Sequence, residues 1–564
     1  MEFGRTLTEC RMCNSQDLYP FLDLGYLPPA DKILSREDLN HPEIFFPLRV
    51  TQCQECGLTQ LTYVVNKELA YGPTYSYESS MTQTGKKHFF DMADALCKKH
   101  NLTQGFAVDI GSNVGVLLEA FQRNGLSVLG IDPAPRIVQI ANKRGIETWP
   151  GFFSKKIAEK ILSEKGKAHI ITATNVFAHI DDKKEFIEAI QMLLDTQGMF
   201  VIEAPYLLDL LENLEYDTIY LDHLEYLSLK PLVKFFKNNY MEVFDVERTA
   251  IHGNSIRISV AWNGKKQISE HVAHLLKLEE EKGIYNTKTL DEFSKKVHAH
   301  KKEFTELIHD LKKQGKKIVG ISAPAKGNTL LNFCKLHNPL IEYMTEKSTI
   351  KQNHHTPGMH IKIVAEENLL KDMPDYGIIF AWNFAHDIMK NEINQQFLKQ
   401  GGKFIIPIPK PIIIDITNYN NFYKSENLQK NMNTNENIFG VTIKKVDPVF
   451  MDERGIISDL VNEPISHVGL ITTEKNAVRG SHYHKKSVQY SYILSGTFEV
   501  VLAPYNEPAN KKTVLLKAGE LITIPPFVIH QFKALDRAVM INIESQSRAG
   551  QGYEDDTIRV KLEN

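Results

Sequence analysis

A chain of 564 residues is too long for one hydrophobic core and predicts three or four domains. With 42% hydrophobic and 24% charged residues it has a soluble globular composition, and a formal charge of −3 gives no sign of a nucleic-acid or acidic-surface partner. The N-terminus carries Glu2, Arg5 and Glu9 with no apolar core, and no run approaches the roughly 18 apolar residues of a bilayer span, so no membrane association and a cytoplasmic location are expected.

In chain order, residues 1–66 are short, proline-containing and built around two pairs, Cys10-Arg11-Met12-Cys13 and Cys53-Gln54-Glu55-Cys56. In a reducing compartment this spacing reads as metal rather than disulfide, and two such turns can close a tetrahedral thiolate site around structural zinc. A redox pair or coincidental spacing is the alternative. Cys97 and Cys334 fall in apolar-periodic segments and read as core. Next, Phe106–Ile110 predicts a strand, Val116–Asn124 a helix, and Ser127–Asp132, Ala168–Ala173 and Gly198–Glu203 further strands, a doubly wound α/β alternation. A charged helical stretch follows from Ser269 to Gln314. Runs at Lys317–Ile321, Ile341–Met344, Tyr376–Phe380 and Lys403–Pro407 predict a second α/β unit. Asn-rich sequence over 418–437 reads as a linker, and the short strands beyond it predict an all-β barrel or jelly roll.

The segment VDIGSNVG, 108–115, places glycines directly after a strand, where backbone can approach a cofactor closely. Asp132 ends the next strand, where a carboxylate can take ribose hydroxyls. The order Asp109-x-Gly111-x-x-x-Gly115 lacks the G-x-G-x-x-G that seats a pyrophosphate. S-adenosylmethionine, which has no phosphates, is favoured on that ground, with NAD the alternative. Downstream, Tyr216–Tyr226 crowds carboxylates and tyrosines around His223, the ingredients of proton transfer.

These motifs carry a resemblance. GSNVG at 111–115, ITATNVFAHIDD at 171–182, DTIYLDH at 217–223, IHGNSIR at 251–257, SAPAKGNTLLNFC at 322–334, KQNHHTPGMHI at 351–361 and AWNFA at 381–385 resemble the sugar C-methyltransferase family over roughly residues 5–415. Its members add a methyl to C3 of a dTDP-4-keto-6-deoxysugar. The resemblance implies an N-terminal zinc domain and S-adenosylmethionine held by Asp109, Gly111, Asn113, Gly115, Asp132 and Asn175. His223 would be the base that removes the acidic hydrogen beside the ketone, with Tyr220 orienting sugar or base. Asp222 stands where the family has Glu and would orient the imidazole. His179 would stabilise the developing oxyanion, and one of Tyr75 and Tyr77 would enter the site. His252, Ser255 and Arg257 are implied as sugar contacts. The loop Lys326-Gly327-Asn328 is read as a diphosphate seat in the second α/β unit, with Trp382 and Asn383 beside it or structural. Two departures stand out: Asn113-Val114-Gly115 replaces Asn-Asp-Gly, and His252-Gly253-Asn254-Ser255 replaces His-Gly-Gly-Ser.

The tail carries a second resemblance. Arg479-Gly-Ser-His482-Tyr-His484, then Gln489 and Gly496, matches the first cupin motif, and Gly519 through Pro525 to His530 matches the second. Gln489 replaces the Glu of metal-binding cupins; three histidines remain, leaving room for a second metal. Arg-Gly-x-His-x-His also resembles the dTDP-sugar epimerases and ketoisomerases. That implies His482 and His484 as proton-transfer residues, Arg479 on the diphosphate, and Tyr492 or Tyr553 as the acid. A barrel with an internal polar cluster and no catalysis is the bland alternative.

The expected fold is therefore multidomain α/β plus all-β. It comprises a zinc lobe (1–66), a Rossmann-like methyltransferase domain (67–262), a second Rossmann-like domain binding nucleotide sugar (263–425), a linker (426–437) and a cupin jelly roll (438–564). The expected function is bifunctional: methylation of an NDP-4-keto-6-deoxyhexose and epimerisation beside the same ketone. Alternatives are a methyltransferase whose cupin only binds, holds metal or dimerises, and a dehydrogenase with a metal cupin. A homodimer through cupin edge strands is the expected assembly.

Overall fold

The computed structural model describes residues 3–66, 83–249, 254–419 and, in the tail, 439, 441–446, 450–452, 455–458, 460–461, 464–547 and 552–560. Tyr75, Tyr77, His252 and the expected linker lie outside the described residues, as does the side chain of Tyr553. The chain forms two compact units, 1–419 and 420–564. No helix among the described residues is long and apolar enough to cross a membrane.

Within the first unit, a seven-stranded sheet runs in the order Met241–Thr249, Ser255–Trp262, Leu194–Pro205, Ala168–Thr174, Phe106–Ile110, Ser127–Asp132 and Thr148–Pro150. All strands are parallel except Ser255–Trp262, which is antiparallel to both neighbours. Val108, Ile110, Ile171, Phe200 and Ile202 are buried, as expected of a sheet covered on both faces. The chain leaves Phe106–Ile110 in opposite directions toward Ser127–Asp132 and Ala168–Thr174. That creates a switch point, and the crevice outside the carboxyl ends of such strands is where ligands bind.

A second sheet has the order Ile363–Ala365, Met344–Glu346, Ile318–Ile321, Tyr376–Ile379, Lys403–Ile406 and Ile412–Ile414, parallel but for the last strand. Its switch point lies between Ile318–Ile321 and Tyr376–Ile379. The run expected to be a strand at Ile341–Met344 becomes one only from Met344, after a bend at Ile341. The long helical stretch is two helices, Glu270–Glu281 and Thr287–Lys313. Gly283 at φ +61° breaks it, and Asn286 caps the second helix by accepting from the Lys288 N–H.

The cysteine lobe does not close on itself. Its antiparallel sheet, Leu18–Leu27, Phe46–Cys53 and Thr59–Leu61, is completed by Glu225–Tyr226, the two-residue strand that follows His223 almost directly. A lobe too small for its own core thus shares one: Phe46, Leu48 and Val50 join the cluster that includes Phe177, Ile219 and Leu221.

The second unit contains two five-stranded antiparallel sheets. One runs Thr442–Lys445, Glu520–Ile524, Gln489–Ser495, Ala538–Glu544, His467–Thr473; the other runs Lys512–Lys517, Thr497–Pro504, Val528–Ala534, Val478–His484, Thr557–Arg559. Ile493, Phe498, Val500, Phe532 and Met540 fill the space between them.

Candidate active sites

A cleft of about 180 Å³ occupies the first switch point and is lined by Asp109, Gly111, Asn113, Asp132, Asn175, Phe152 and His179, among others. Gly111 is left-handed at φ +68°, and a Cβ there would lie 2.4 Å from Val176 Cγ2, so only glycine lets the loop turn this tightly. Asp132 accepts from the backbone N–H groups of Asn113 (3.0 Å) and Ala134 (2.9 Å), which fixes its carboxylate at the cleft. Asp109 takes the Thr172 hydroxyl at 2.6 Å, and burial pushes its carboxyl up to about 7. The cleft therefore brings together five of the six residues expected to hold the methyl donor. The sixth, Gly115 at φ +79°, precedes the helix Val116–Arg123.

His179 belongs to three cavities at once. It lines this cleft, a larger one of about 510 Å³ that also takes in Arg5, Phe152 and Asp222, and a small cavity lined by Thr218, His223, Glu225 and Tyr226. Its ring stands edge-on to His223 with centroids 5.0 Å apart, and the Tyr220 ring lies 4.0 Å from that of His223. Burial, reinforced by His223 and Lys183, holds His179 well below the ordinary imidazole value, so it is neutral at pH 7. The His223 Nδ1–H donates to the Thr218 carbonyl at 2.8 Å, which assigns the lone pair of the neutral ring to Nε2.

The imidazole is thus oriented by backbone rather than by Asp222. The Asp222 Oδ1 is buried without a hydrogen-bond partner, and burial, with the like charge of Asp31, pushes the carboxyl up to about 8. Asp222 is therefore largely protonated at neutral pH, which suits a short side chain that does not reach the ring.

Other expected contacts have different partners. Arg257 is buried, its guanidinium spent on Glu203 (2.7 Å) and Glu247 (3.3 Å), with His88 on the other oxygen of Glu203 at 2.6 Å. Held by Arg257 and His88, Glu203 titrates at about 2 despite its burial. Arg257 is an interior ion-paired cation on a strand whose interior place sequence cannot show. Ser255 is buried opposite Pro205 and Thr249 in the same sheet. In the second α/β region, a Cβ on Gly327 would lie 2.8 Å from Phe380 Cβ, and the Asn328 amide donates to the Ala30 carbonyl at 2.6 Å. Both are engaged in close packing. Lys326 Nζ sits 3.9 Å above the Trp382 ring and near Asp217 and Glu215.

The four lobe cysteines bring their sulfurs within 4.8 Å of one another, with Cys10–Cys56 and Cys13–Cys53 at 3.5 Å. Zinc–sulfur bonds of about 2.3 Å need tetrahedral sulfurs about 3.8 Å apart, so the set fits a closed zinc site with no open position. Arg11, between two of these cysteines, went unremarked in the sequence. It donates to the Ile180 and Asp181 carbonyls at 3.3 Å, pairs with Asp181 Oδ1 at 2.8 Å and reaches Glu225 at 3.3 Å. Glu225 also pairs with the buried Lys183 at 3.1 Å.

In the second unit, His482, His484 and His530 bring ring nitrogens within 4.8 Å. A bulge at Ser481, φ +63°, shifts the register so that His482 faces His530 across the sheet and Arg479 faces Phe532 on the same side. The His530 Nδ1–H donates to the Val528 carbonyl (3.0 Å), leaving Nε2 as acceptor 3.2 Å from His482 Nε2. His484 Nε2 lies 3.2 Å from Gln489 Oε1, and its Nδ1 is 3.4 Å from Asp556, a partner the sequence did not flag. Arg479 is exposed and donates to the Thr472 carbonyl. Tyr492 does not face the cluster: on its strand Gln489, Ser491 and Ile493 point inward, while Tyr490 and Tyr492 pack with Leu521 and Ile543 on the outer side.

Comparison with known proteins places these features. Residues 10–71 match a zinc binding domain family, 94–243 a methyltransferase domain, 250–409 the C-methyltransferase C-terminal domain and 469–544 the cupin domain. The C-methyltransferase NovU of Streptomyces niveus is 34% identical over 412 residues, 73% of this chain and 97% of that protein. A ubiquinone biosynthesis O-methyltransferase of Cupriavidus pinatubonensis is 22% identical over 25% of this chain and 61% of its own length. Among solved structures, a QdtA 3,4-ketoisomerase variant of Thermoanaerobacterium thermosaccharolyticum is similar to 22% of this chain over 88% of its own, at 26% identity and a TM-score of 0.19. A relative this similar, aligned over nearly its whole length, together with a methyltransferase domain, its C-terminal companion and a four-cysteine zinc lobe, means that the chain belongs to the C-methyltransferase family, with a cupin domain at its C-terminus.

Proposed function

We propose that the chain methylates C3 of a nucleotide-linked 4-keto-6-deoxyhexose, of the dTDP type, and that its cupin moves a proton beside the same ketone. The division into zinc lobe, methyltransferase domain, sugar-binding domain and cupin is part of this reading. The observation that carries it is His179, which lines the switch-point cleft, the larger cavity and the small cavity that His223 also lines, with the Tyr220 ring packed near that of His223. Asp109, Gly111, Asn113, Gly115, Asp132 and Asn175 would hold S-adenosylmethionine, which when bound supplies an electrophilic methyl to a carbon nucleophile.

A hydrogen on the carbon beside a ketone is acidic because the electron pair left behind spreads onto the carbonyl oxygen. His223 Nε2, set by the Nδ1–H bond to Thr218, takes that proton. The neutral ring of His179 would face the developing oxygen without adding a second positive charge beside His223. Tyr220 holds the plane of the His223 ring. The protonated Asp222 adds no further negative charge to the wall of the sugar cavity. Holding base and acceptor carbon in register supplies much of the rate.

For the cupin, His482 and His484 are read as the proton-transfer pair, with Asp556 behind His484 to stabilise its charged form. The ligand set disfavours a second metal: Gln489 is a weak donor and already accepts from the His484 side. The edge strand His467–Thr473, with Val468 and Leu470 exposed, suits pairing with a second copy and favours the dimerisation reading of the tail as the alternative. The test is incubation of a dTDP-4-keto-6-deoxyhexose with a ¹³C-methyl-labelled donor. Label on C3 is expected, whereas binding of NAD without S-adenosylhomocysteine binding overturns the reading.

A further inference from the structure

The segment that carries His223 is fastened at both ends by parts of the chain outside the seven-stranded sheet. On its N-terminal side, each residue around the short turn Tyr216–Thr218 meets the second α/β region. The Tyr216 hydroxyl bonds His300 Nδ1 at 2.9 Å, and the His300 Nε2–H donates to the Pro407 carbonyl at 2.7 Å. Because a carbonyl only accepts, that second bond fixes the His300 tautomer and makes Nδ1 an acceptor for the tyrosine. The Trp382 Nε1–H donates to Asp217 Oδ2 at 2.7 Å, and the Thr329 hydroxyl donates to the Ile219 carbonyl at 3.2 Å. Between these three anchored residues lies Thr218, whose carbonyl receives the His223 Nδ1–H. On its C-terminal side, Leu224 bonds Leu61 and Ala178 through backbone, and Glu225–Tyr226 pairs with Thr59–Gln60 of the cysteine lobe.

We propose that the second α/β region positions the catalytic base: Trp382 through Asp217, Thr329 through Ile219 and His300 through Tyr216 hold the Thr218 carbonyl that sets the ring of His223. Tyr216 and Asp217 are fully buried, so the anchors are not exchangeable for water. Trp382 and Thr329 flank the second sheet's own switch point, where a ligand would bind. Occupancy there and the aim of the base are therefore read through the same residues, which makes them positioning residues rather than catalytic ones. The inference rests on His223 being the base.

The experiment compares Trp382→Phe, Thr329→Val and His223→Asn in the full chain, with melting curves as folding controls. For Trp382→Phe we expect kcat about tenfold lower, the loss of one oriented hydrogen bond, with KM for the nucleotide sugar within about twofold and the acid limb of the pH–rate profile displaced. Thr329→Val repeats the pattern more weakly and keeps the test decisive should the tryptophan variant not fold. A raised KM with unchanged kcat and an unmoved pH profile overturns the proposal and makes Trp382 a ligand contact. Residual full activity in His223→Asn overturns the underlying assignment of the base instead, whatever the other two variants do.

Discussion

The two histidine clusters are built in opposite ways. His482, His484 and His530 come from two paired strands of one sheet, and their nitrogens meet each other directly. His179 and His223 come from two loops above another sheet, and each is set by something outside it: the His179 loop by Arg11 of the cysteine lobe, the His223 loop by Trp382, Thr329 and His300. A local cluster can form wherever its barrel folds. A cluster held by three regions exists only when all three are assembled, so its activity reports on the whole first unit.

The sharpest way to break that contrast is to remove one imidazole from each cluster. His223→Asn should lower methyl transfer by about 10³-fold, within the range for a lost general base, with little change in melting temperature. His482→Asn with His484→Asn should leave methyl transfer unchanged in a radiolabel assay and remove only the solvent exchange beside the ketone that does not depend on His223. If the double variant loses methyl transfer as well, the clusters are not independent.

Next in size is the metal. Cys10→Ser should cost several kcal/mol of stability, seen as a lowered melting temperature, and lower methyl transfer through Arg11, while metal analysis falls from about one zinc per chain toward zero. Two zincs per wild-type chain would show that the cupin histidines hold metal after all. Arg257→Ala should cost about 3 kcal/mol in denaturant unfolding, because Glu203 is left buried with one cation fewer. If KM rises and stability holds, Arg257 touches sugar.

The smallest effect separates Asp222 from an ion-pairing carboxylate. Its folded value, about 8, lies above the ordinary carboxylate value of about 3.9. A raised acid favours the native state fully below its unfolded value, and that contribution is lost as pH rises through the folded one. Asp222→Asn, neutral at every pH, should already melt above wild type at about pH 6, since the contribution is lost between about pH 4 and 8, and by a wider margin at about pH 9. Melting curves that stay parallel across this range contradict the assignment.

Much of this was legible in sequence because the chemistry sat inside contiguous motifs. The glycines after Phe106–Ile110, the paired cysteines and the spacing of His482, His484 and His530 each encode a local geometry. What sequence could not give was which face or partner a residue would find. Tyr492 was read as an acid, yet strand alternation turns it outward. Arg257 looked like a sugar contact and is an interior ion pair. Gly327 and Asn328 looked like an anion loop and are used for close packing against Phe380 and Ala30. Arg11 and Trp382 act across 165 or more residues of chain in their key contacts and His300 reaches Tyr216 across 84, and no local pattern reveals these partners. Even the His300–Pro407 link spans 107 residues. The Arg11–Ile180 link spans 169.

The central claim is that His223 removes the proton beside the sugar ketone, and solvent exchange tests it most directly. In the His482→Asn, His484→Asn background, a dTDP-4-keto-6-deoxyhexose would be held in deuterated water with S-adenosylhomocysteine in place of the methyl donor, and deuterium at C3 followed by NMR. Exchange at C3 that disappears when His223→Asn is added is the predicted result. Exchange that continues undiminished without His223 would contradict the account.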